Sequence, residues 1–331
     1  MSTAVAIDTA LATEIRVRPT WRAQLSICRF DHWVKNVFVL PGIVVGAAGL
    51  GHWGGLWSQA LLGLLSVGLI SSSNYVLNEI LDAPFDRLHP KKRFRPIPAG
   101  KASVRLAYAQ WLIFMAAGFG VACAVSGAFT TTMAALWLMG IVYNVRPLRT
   151  KDVPYVDVLS ESINNPIRML AGWYITANPG IPPASLLASY WMVGAYFMAV
   201  KRFAEYREIA NPLLSAAYRR SFAHYNERRL LVSIMFYAAS AMLTFGAFLA
   251  RYRLELILAF PFVALVMTVY LQLAFQPDSA VQHPEYLYRD FRLMTAVISC
   301  AAVLVALMII DVPLLYVIFS PKYSGFAPHL H

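Results

Sequence analysis

Charged side chains are scarce in this sequence. They make up 14% of its 331 residues against 59% hydrophobic, whereas an ordinary soluble domain is about a quarter charged and about half apolar. That scarcity excludes a water-soluble globule and leaves no stretch from which a large soluble domain could be built. Cysteine is nearly absent as well. Cys28, Cys123 and Cys300 stand far apart, without the close pairs that a structural zinc site or a disulfide framework needs, and packing is the only role expected of them. The N-terminus also lacks the pattern of a secretory signal: Asp8 and Glu14 precede Thr20 with no sustained apolar core and no small-residue cleavage site. It is expected to remain in the cytosol.

What the chain has in abundance is apolar runs of about twenty residues, each long enough to cross a hydrocarbon core roughly 30 Å thick. Backbone polar groups must be satisfied internally there, so helices are the default. We read nine spans, near 34–51, 57–80, 103–126, 129–145, 154–176, 184–206, 229–250, 254–274 and 292–319. The expected architecture is an all-α integral membrane bundle. Residues 1–33 form a cytosolic segment, in which Trp21, Leu25, Phe30 and Trp33 alternate with Arg22 and Arg29 as in an interfacial helix, and residues 34–331 form the membrane domain.

Basic residues set the orientation. Of the 28 Lys and Arg, 24 fall before the first span or after an even-numbered one, and only Arg251, Arg253 and Lys322 fall on the other side. The positive-inside rule then places the N-terminus and the even-to-odd loops in the cytosol and the C-terminus outside. Most acidic residues share the cytosolic side, which concentrates the ionisable chemistry at one face. The formal charge of +11 fits both topogenesis beside anionic lipid and a polyanionic substrate. Nucleic acid is not an expected partner of a chain without a soluble domain.

Two acidic constellations sit near that face. The second span ends with Asn78, Asp82 and Asp86 at i, i+4 and i+8, stacked on one helical face. Carboxylates at a helix C-terminus oppose the macrodipole, and a divalent cation offsets the cost. Oxygen ligands with room for water and phosphate suit Mg²⁺; the alternative is a solvated helix end paired with nearby bases. Pro84 lies within the motif and is expected to displace Asp86 from the ideal face. The basic, proline-stiffened run from Arg87 to Pro98 follows, and with the acids it reads as a diphosphate site. In the fifth span Asp157, Glu161, Asn164, Asn165 and Arg168 form one polar stripe. The stripe is either a second ligand set or a buried ion pair of Glu161 with Arg168 or with an arginine on a neighbouring helix. Lys201 and Glu205 share a face at the end of the sixth span, as a site element or a plain surface salt bridge.

Asn78-xxx-Asp82-xxx-Asp86, the nine spans and the second acidic segment together resemble the UbiA superfamily of intramembrane prenyltransferases, over the whole chain. Within it His32-Trp33-Val34-Lys35-Asn36-Val37, the stretch Asp86 to Ile97, and Lys201-Arg202-Phe203-Ala204-Glu205 resemble the decaprenyl-phosphate phosphoribosyltransferase branch. The resemblance implies a central cavity opening to the cytoplasmic side of a bacterial cell membrane. It implies Mg²⁺-dependent transfer of 5-phosphoribose from phosphoribosyl diphosphate to a polyprenyl phosphate, toward arabinofuranosyl lipid. Carried over by residue, Asn78, Asp82 and Asp86 would hold metal; Asp82, Asp86, Asp157 and Arg168 would act in catalysis. Lys35, Lys92, Arg93, Arg95, Lys151, Glu161, Lys201, Arg202 and Glu205 would contact substrate. Glu79, Pro84, Asp157 and Glu161 depart from the commoner family pattern. A prenyltransferase acting on an aromatic acceptor is the second reading, and an ion-coupled transporter the third.

Overall fold

Polar caps start the long helices. The side chains of Ser103, Ser126, Asn226 and Asp290 each accept from the backbone N–H three residues on, at 3.5, 3.1, 2.8 and 2.8 Å, satisfying a donor that the first turn leaves without an intrahelical partner. The computed structural model describes residues 19–50, 55–87, 89, 91–209, 219–282 and 284–319. Its helices are α1 (Trp21–Ser26), α2 (Leu40–Leu50), α3 (Leu56–Asp86), α4 (Val104–Val125), α5 (Gly127–Asn144), α6 (Val156–Ser162), α7 (Asn164–Ile175), α8 (Ala184–Ile209), α9 (Glu227–Tyr252), α10 (Phe260–Leu273), α11 (Phe291–Ile309) and α12 (Pro313–Phe319). No strand occurs among the described residues.

Among the described residues six segments are long and apolar enough to cross a membrane: Trp21–Leu50, Leu56–Asp86, Val104–Val125, Glu227–Tyr252, Leu254–Leu273 and Phe291–Ile309. Three of the nine expected spans fall short of that measure, namely 129–145, 154–176 and 184–206. The cause is polar side chains turned inward. Thr132 and Asn144 are buried in α5, Asp157, Ser162 and Arg168 in α6 and α7, and Arg202 and Glu205 in α8. The fifth span is also broken at Ile163, between α6 and α7. The expected boundary at residue 33 is not marked by a break, since a 3₁₀ segment, Phe30–Val39, runs straight into α2. Residues 1–18 of the expected N-terminal segment lie outside the described residues.

The two largest of four apolar clusters among the described residues hold the bundle. One packs α8 against α9 around Phe203, Phe222, Leu230 and Ile234. The other joins α3, α5 and α7 around Val67, Phe129, Leu136 and Ala171. Helix α2 meets α7 backbone to backbone: a Cβ on Gly42 would come within 1.9 Å of the Met169 carbonyl oxygen, and one on Gly172 within 2.1 Å of that of Val39. Leu106, Ile113, Leu243 and Ile309 point outward and are exposed, as lipid-facing side chains of a spanning bundle must be. The polar loops gather at one end, where Lys91 pairs with Glu208 and with Asp278 (2.9 Å).

Candidate active site

At that end the helices enclose a chamber of about 720 Å³, lined by nine Lys and Arg side chains against five carboxylates. Helix α3 supplies one wall. Asn78 and Asp82 line the chamber, one turn apart as their spacing requires. Asp86 does not line it. The helix continues through Pro84, and the Asp86 carboxylate is 1% exposed and accepts from Arg95 Nη1 at 2.6 Å. Asp82 in turn accepts from Lys151 Nζ and, at 3.1 Å, from Arg149 Nη2. Lys151 also donates to Asn144 Oδ1 at 2.6 Å. It therefore stands behind Asp82 rather than in the chamber wall, and burial lowers its pKa to about 8 against the pull of Asp82.

The opposite wall is an ion network centred on Arg202 of α8. Its Nη2 donates to Glu161 at 2.6 Å, its Nε to Asp157 at 3.3 Å and its Nη1 to Glu205 at 3.2 Å. The buried pairing of Glu161 with an arginine on a neighbouring helix is thus the arrangement that forms. Tyr143 bridges the same atoms, donating to Glu161 at 2.7 Å and accepting from Arg202 and Arg219, both at 3.1 Å. Asp157 has no exposure and takes further bonds from Ser221 (3.2 Å) and Tyr225 (2.6 Å). It lies outside the chamber lining, although Glu161 on the same helix lines it. Glu161, Asn164 and Arg168 do line the chamber, while Asn165 lies where a side chain on Gly194 of α8 would meet it.

Glu205 does not pair with Lys201 as their spacing suggests. It accepts instead from Lys92 of the basic loop, while Lys201 makes no ion pair among the described residues and lines the chamber. Arg168 also lines it, 7% exposed, with Nη2 on Ser71 Oγ at 3.2 Å and Nε without a hydrogen-bond partner among the described residues. Ser71 is eleven residues before Asp82 on α3, roughly 16 Å along the axis, so cations occur at two depths. Lys35 lines the chamber too, its Nζ 5.7 Å from the centre of the Tyr75 ring. Arg93, like Lys151, does not line the chamber: it is exposed and lies over Phe94, 4.8 Å from the ring centroid. A run of adjacent bases does not reveal which of them turns inward.

Sequence reasoning missed Arg29, Tyr143, Arg149 and Arg219. Arg29 donates to buried Glu79 at 3.4 Å, and Glu79 accepts from Ile97 N at 3.2 Å, so Glu79 anchors the basic loop to α3. His89 holds the start of that loop. Its Nδ1 accepts from Lys91 N and Lys92 N at 3.1 and 3.2 Å, and burial lowers its pKa to about 4. The unfolded loop, with an ordinary value near 6.5, binds more protons between these two values. The stabilisation is therefore complete above about pH 6.5 and is lost as pH falls through about 4. Amide exchange over residues 91–101, corrected for its intrinsic rate, is expected to rise from pH 7 to pH 4 in the wild type and to stay flat in His89→Ala. Equal pH dependence in both would refute the assignment.

Among the described residues no group of three His, Cys, Asp or Glu side chains gathers in a metal-binding arrangement. Mg²⁺ does not require one, since it binds through one or two carboxylates and keeps waters and substrate phosphates. Asn78 and Asp82 line the chamber as hard oxygen donors and fit such an ion, which would take the place of Lys151, now donating to Asn78 Oδ1 at 3.5 Å and to Asp82. Asp86 does not line the chamber; its carboxylate is held at 2.6 Å by Arg95, which does.

Comparison with known proteins places the fold in a family. The UbiA prenyltransferase family matches residues 36–293. Decaprenyl-phosphate phosphoribosyltransferase of Mycobacterium tuberculosis is 31% identical over 65% of this chain and 69% of its own length. Nodulation protein NoeC of Azorhizobium caulinodans is 29% identical over 59% of this chain; the match spans 61% of NoeC, and 25% of an uncharacterised Sinorhizobium fredii relative. A UbiA homolog from Archaeoglobus fulgidus, solved bound to GPP and Mg²⁺, superposes with a TM-score of 0.65 at 21% identity, over 85% of this chain and 99% of that one.

Proposed function

Because the chain belongs to the UbiA prenyltransferase family, we propose that it transfers 5-phosphoribose from phosphoribosyl diphosphate to a polyprenyl phosphate, of decaprenyl type, releasing diphosphate. The product precedes polyprenyl-phospho-arabinofuranose. The observation that carries this reading is that cations line one chamber at two depths, Arg168 beside Ser71 and Lys92 with Arg95 at the basic loop. A prenyl diphosphate with a neutral acceptor brings a single anionic group, whereas phosphoribosyl diphosphate with a lipid phosphate brings three. Similarity to the mycobacterial phosphoribosyltransferase supports it.

In the reaction the ribose C1–O bond to diphosphate breaks, the electron pair leaves with the diphosphate, and a phosphate oxygen of the acceptor bonds to C1. Magnesium held by Asn78 and Asp82 would stabilise the charge on the departing diphosphate. Lys92 and Arg95 line the chamber near the same end of α3 and donate charge-assisted hydrogen bonds to that group. Arg168, Lys201 and Lys35 place the remaining phosphates. The acceptor is already ionised at neutral pH, so positioning serves it more than a general base does. Asp157, tied to Arg202 and Tyr225, acts by holding Arg202 rather than by touching the sugar.

Neutralising Lys201 with Lys201→Gln is expected to remove a contact of roughly 1.5–3 kcal/mol, a loss on the order of tenfold to a hundredfold in apparent donor affinity. The assay is incubation of the reconstituted protein with Mg²⁺, ribose-labelled phosphoribosyl diphosphate and polyprenyl phosphate, followed by lipid extraction. Ribose label in the lipid phase supports the reading. The second reading, prenyl transfer to an aromatic acceptor, is favoured by the likeness to a protein that held GPP; prenyl label on a non-phosphate acceptor, with no use of phosphoribosyl diphosphate, decides for it.

The chamber opens to the cytosol of a bacterial cell in this proposal, with the N-terminus inside and the C-terminus outside. Single cysteines placed at Ala99 and Ala223 are then expected to resist an impermeant maleimide in intact cells and to react once the membrane is opened. Labelling of either from outside would reverse the orientation.

A further inference from the structure

Beyond the ion network lies a second cavity of about 660 Å³, which shares no lining residue with the chamber. Tyr155 and Leu159, at the start of the fifth span, form one wall, and Val232 and Phe236 of α9 the other, with Arg228 and Arg229 also lining it. Val232 and Phe236 are each 63% exposed, so this groove opens to the surroundings of the bundle. Arg228, Val232 and Phe236 follow at i, i+4 and i+8, one face of α9, which descends roughly 12 Å from cation to ring. Arg228 has no carboxylate partner among the described residues, and Arg229 donates to the His224 carbonyl at 2.7 Å. The adjacent acid, Glu227, is directed to Arg207 at 3.8 Å.

We propose that this groove binds one anionic glycerophospholipid of the surrounding leaflet. The lipid phosphate lies against Arg228 and Arg229, and the upper part of an acyl chain lies along Val232, Phe236 and Leu159. The order of chemistry along α9, cations first and an apolar track beneath, is the order of groups in such a lipid. The acceptor of the transfer reaction is not the occupant, because its phosphate must reach the chamber, and buried Asp157, Arg202 and Tyr225 stand between.

The groove wall is coupled to that barrier. Tyr155 has φ 64° and ψ −37°, a conformation that a residue with a side chain adopts only when its surroundings hold it. The hold comes from Tyr225, whose hydroxyl accepts from Tyr155 N at 2.6 Å and donates to Asp157 at 2.6 Å. A lipid chain packed on Tyr155 steadies this arrangement from outside. The binding claim is independent of which group the chamber transfers.

The test is native mass spectrometry of the full chain released from nanodiscs of phosphatidylcholine containing a minority of phosphatidylglycerol. The wild type is expected to retain one phosphatidylglycerol in preference to phosphatidylcholine. Arg228→Gln/Arg229→Gln should reduce that preference on the order of tenfold, while Arg251→Gln, at the other end of α9, leaves it unchanged. Val232→Trp fills the groove with both arginines intact and should also weaken retention. If Val232→Trp retains the lipid fully, the attraction is diffuse surface charge and the site is refuted. Displacement of phosphatidylglycerol by equimolar polyprenyl phosphate would refute it in favour of an acceptor-loading site. Loss of retention counts only for variants that keep the wild-type unfolding temperature in detergent, and Val232→Trp alone suffices if the double variant fails that check.

Discussion

Asp82→Asn is expected to lower turnover on the order of a hundredfold to a thousandfold, the size of effect seen when charge stabilisation of a transition state is removed. The substitution keeps the shape of the side chain, so packing at the end of α3 survives. Lys151 keeps its bond to Asn144 Oδ1 at 2.6 Å, so it is not left buried without a partner. What disappears is the negative charge beside Asn78 on the chamber wall. Asp86→Asn should cost less, because that carboxylate faces Arg95 and lies outside the chamber lining; its loss loosens Arg95 instead. Turnover of both variants, measured beside their thermal unfolding in detergent, checks the order. Near-wild-type turnover in folded Asp82→Asn would remove Asp82 from the site, and equal losses in the two variants would return Asp86 to the metal set.

Arg202→Gln is the substitution expected to harm stability most, by about 3–5 kcal/mol. One guanidinium serves Asp157, Glu161 and Glu205, all at 3.3 Å or less, and glutamine offers neither charge nor enough donors for three carboxylates. Removing one partner of a buried ion pair strands the other charge in a low-dielectric interior; here Glu205 keeps Lys92 and Asp157 keeps Arg219 at 3.6 Å, so Glu161, left with the Tyr143 hydroxyl, loses most. Adding Glu161→Gln to Arg202→Gln should recover part of the loss, because one stranded charge goes with it; neighbours in one network are not additive. Thermal or denaturant unfolding of the two single variants and the double variant gives the coupling directly. An Arg202→Gln protein as stable as the wild type would mean that these acids are solvated rather than held.

What the sequence made legible was local. The spacing of Asn78 and Asp82 put two oxygen donors on one face of α3, and the chamber wall uses both. The stripe in the fifth span announced inward-facing polar groups, and Glu161, Asn164 and Arg168 line the chamber. Long-range partners were not legible. Tyr143 joins Glu161, Arg202 and Arg219 across three separate elements, and a tyrosine at the end of an apolar helix carries no mark of that role. Asp157 was expected at the chamber because it shares the stripe of Glu161, and the structure turns it instead to Ser221, Tyr225 and Arg219, partners far away in sequence. Arg93 was grouped with Lys92 and Arg95 because adjacent bases on a loop have no fixed period from which their directions can be read. The pairing of Glu205 with Lys92 rather than with Lys201 required knowing that the basic loop folds back over α8.

Gly42 and Gly172 leave no layer of side chains between α2 and α7, and packed backbones have no rotamers with which to absorb a small displacement. The two helices therefore travel together as one body. Lys35 lies on the 3₁₀ segment that runs into α2 and Arg168 lies on α7, so the backbone positions from which these two cations reach the chamber are fixed relative to one another. The other end of the chamber is spanned by pairs such as Lys92 with Glu205 and Lys91 with Asp278, which can exchange partners with arriving phosphates. One end of the chamber is thus held by main chain and the other by side-chain ion pairs.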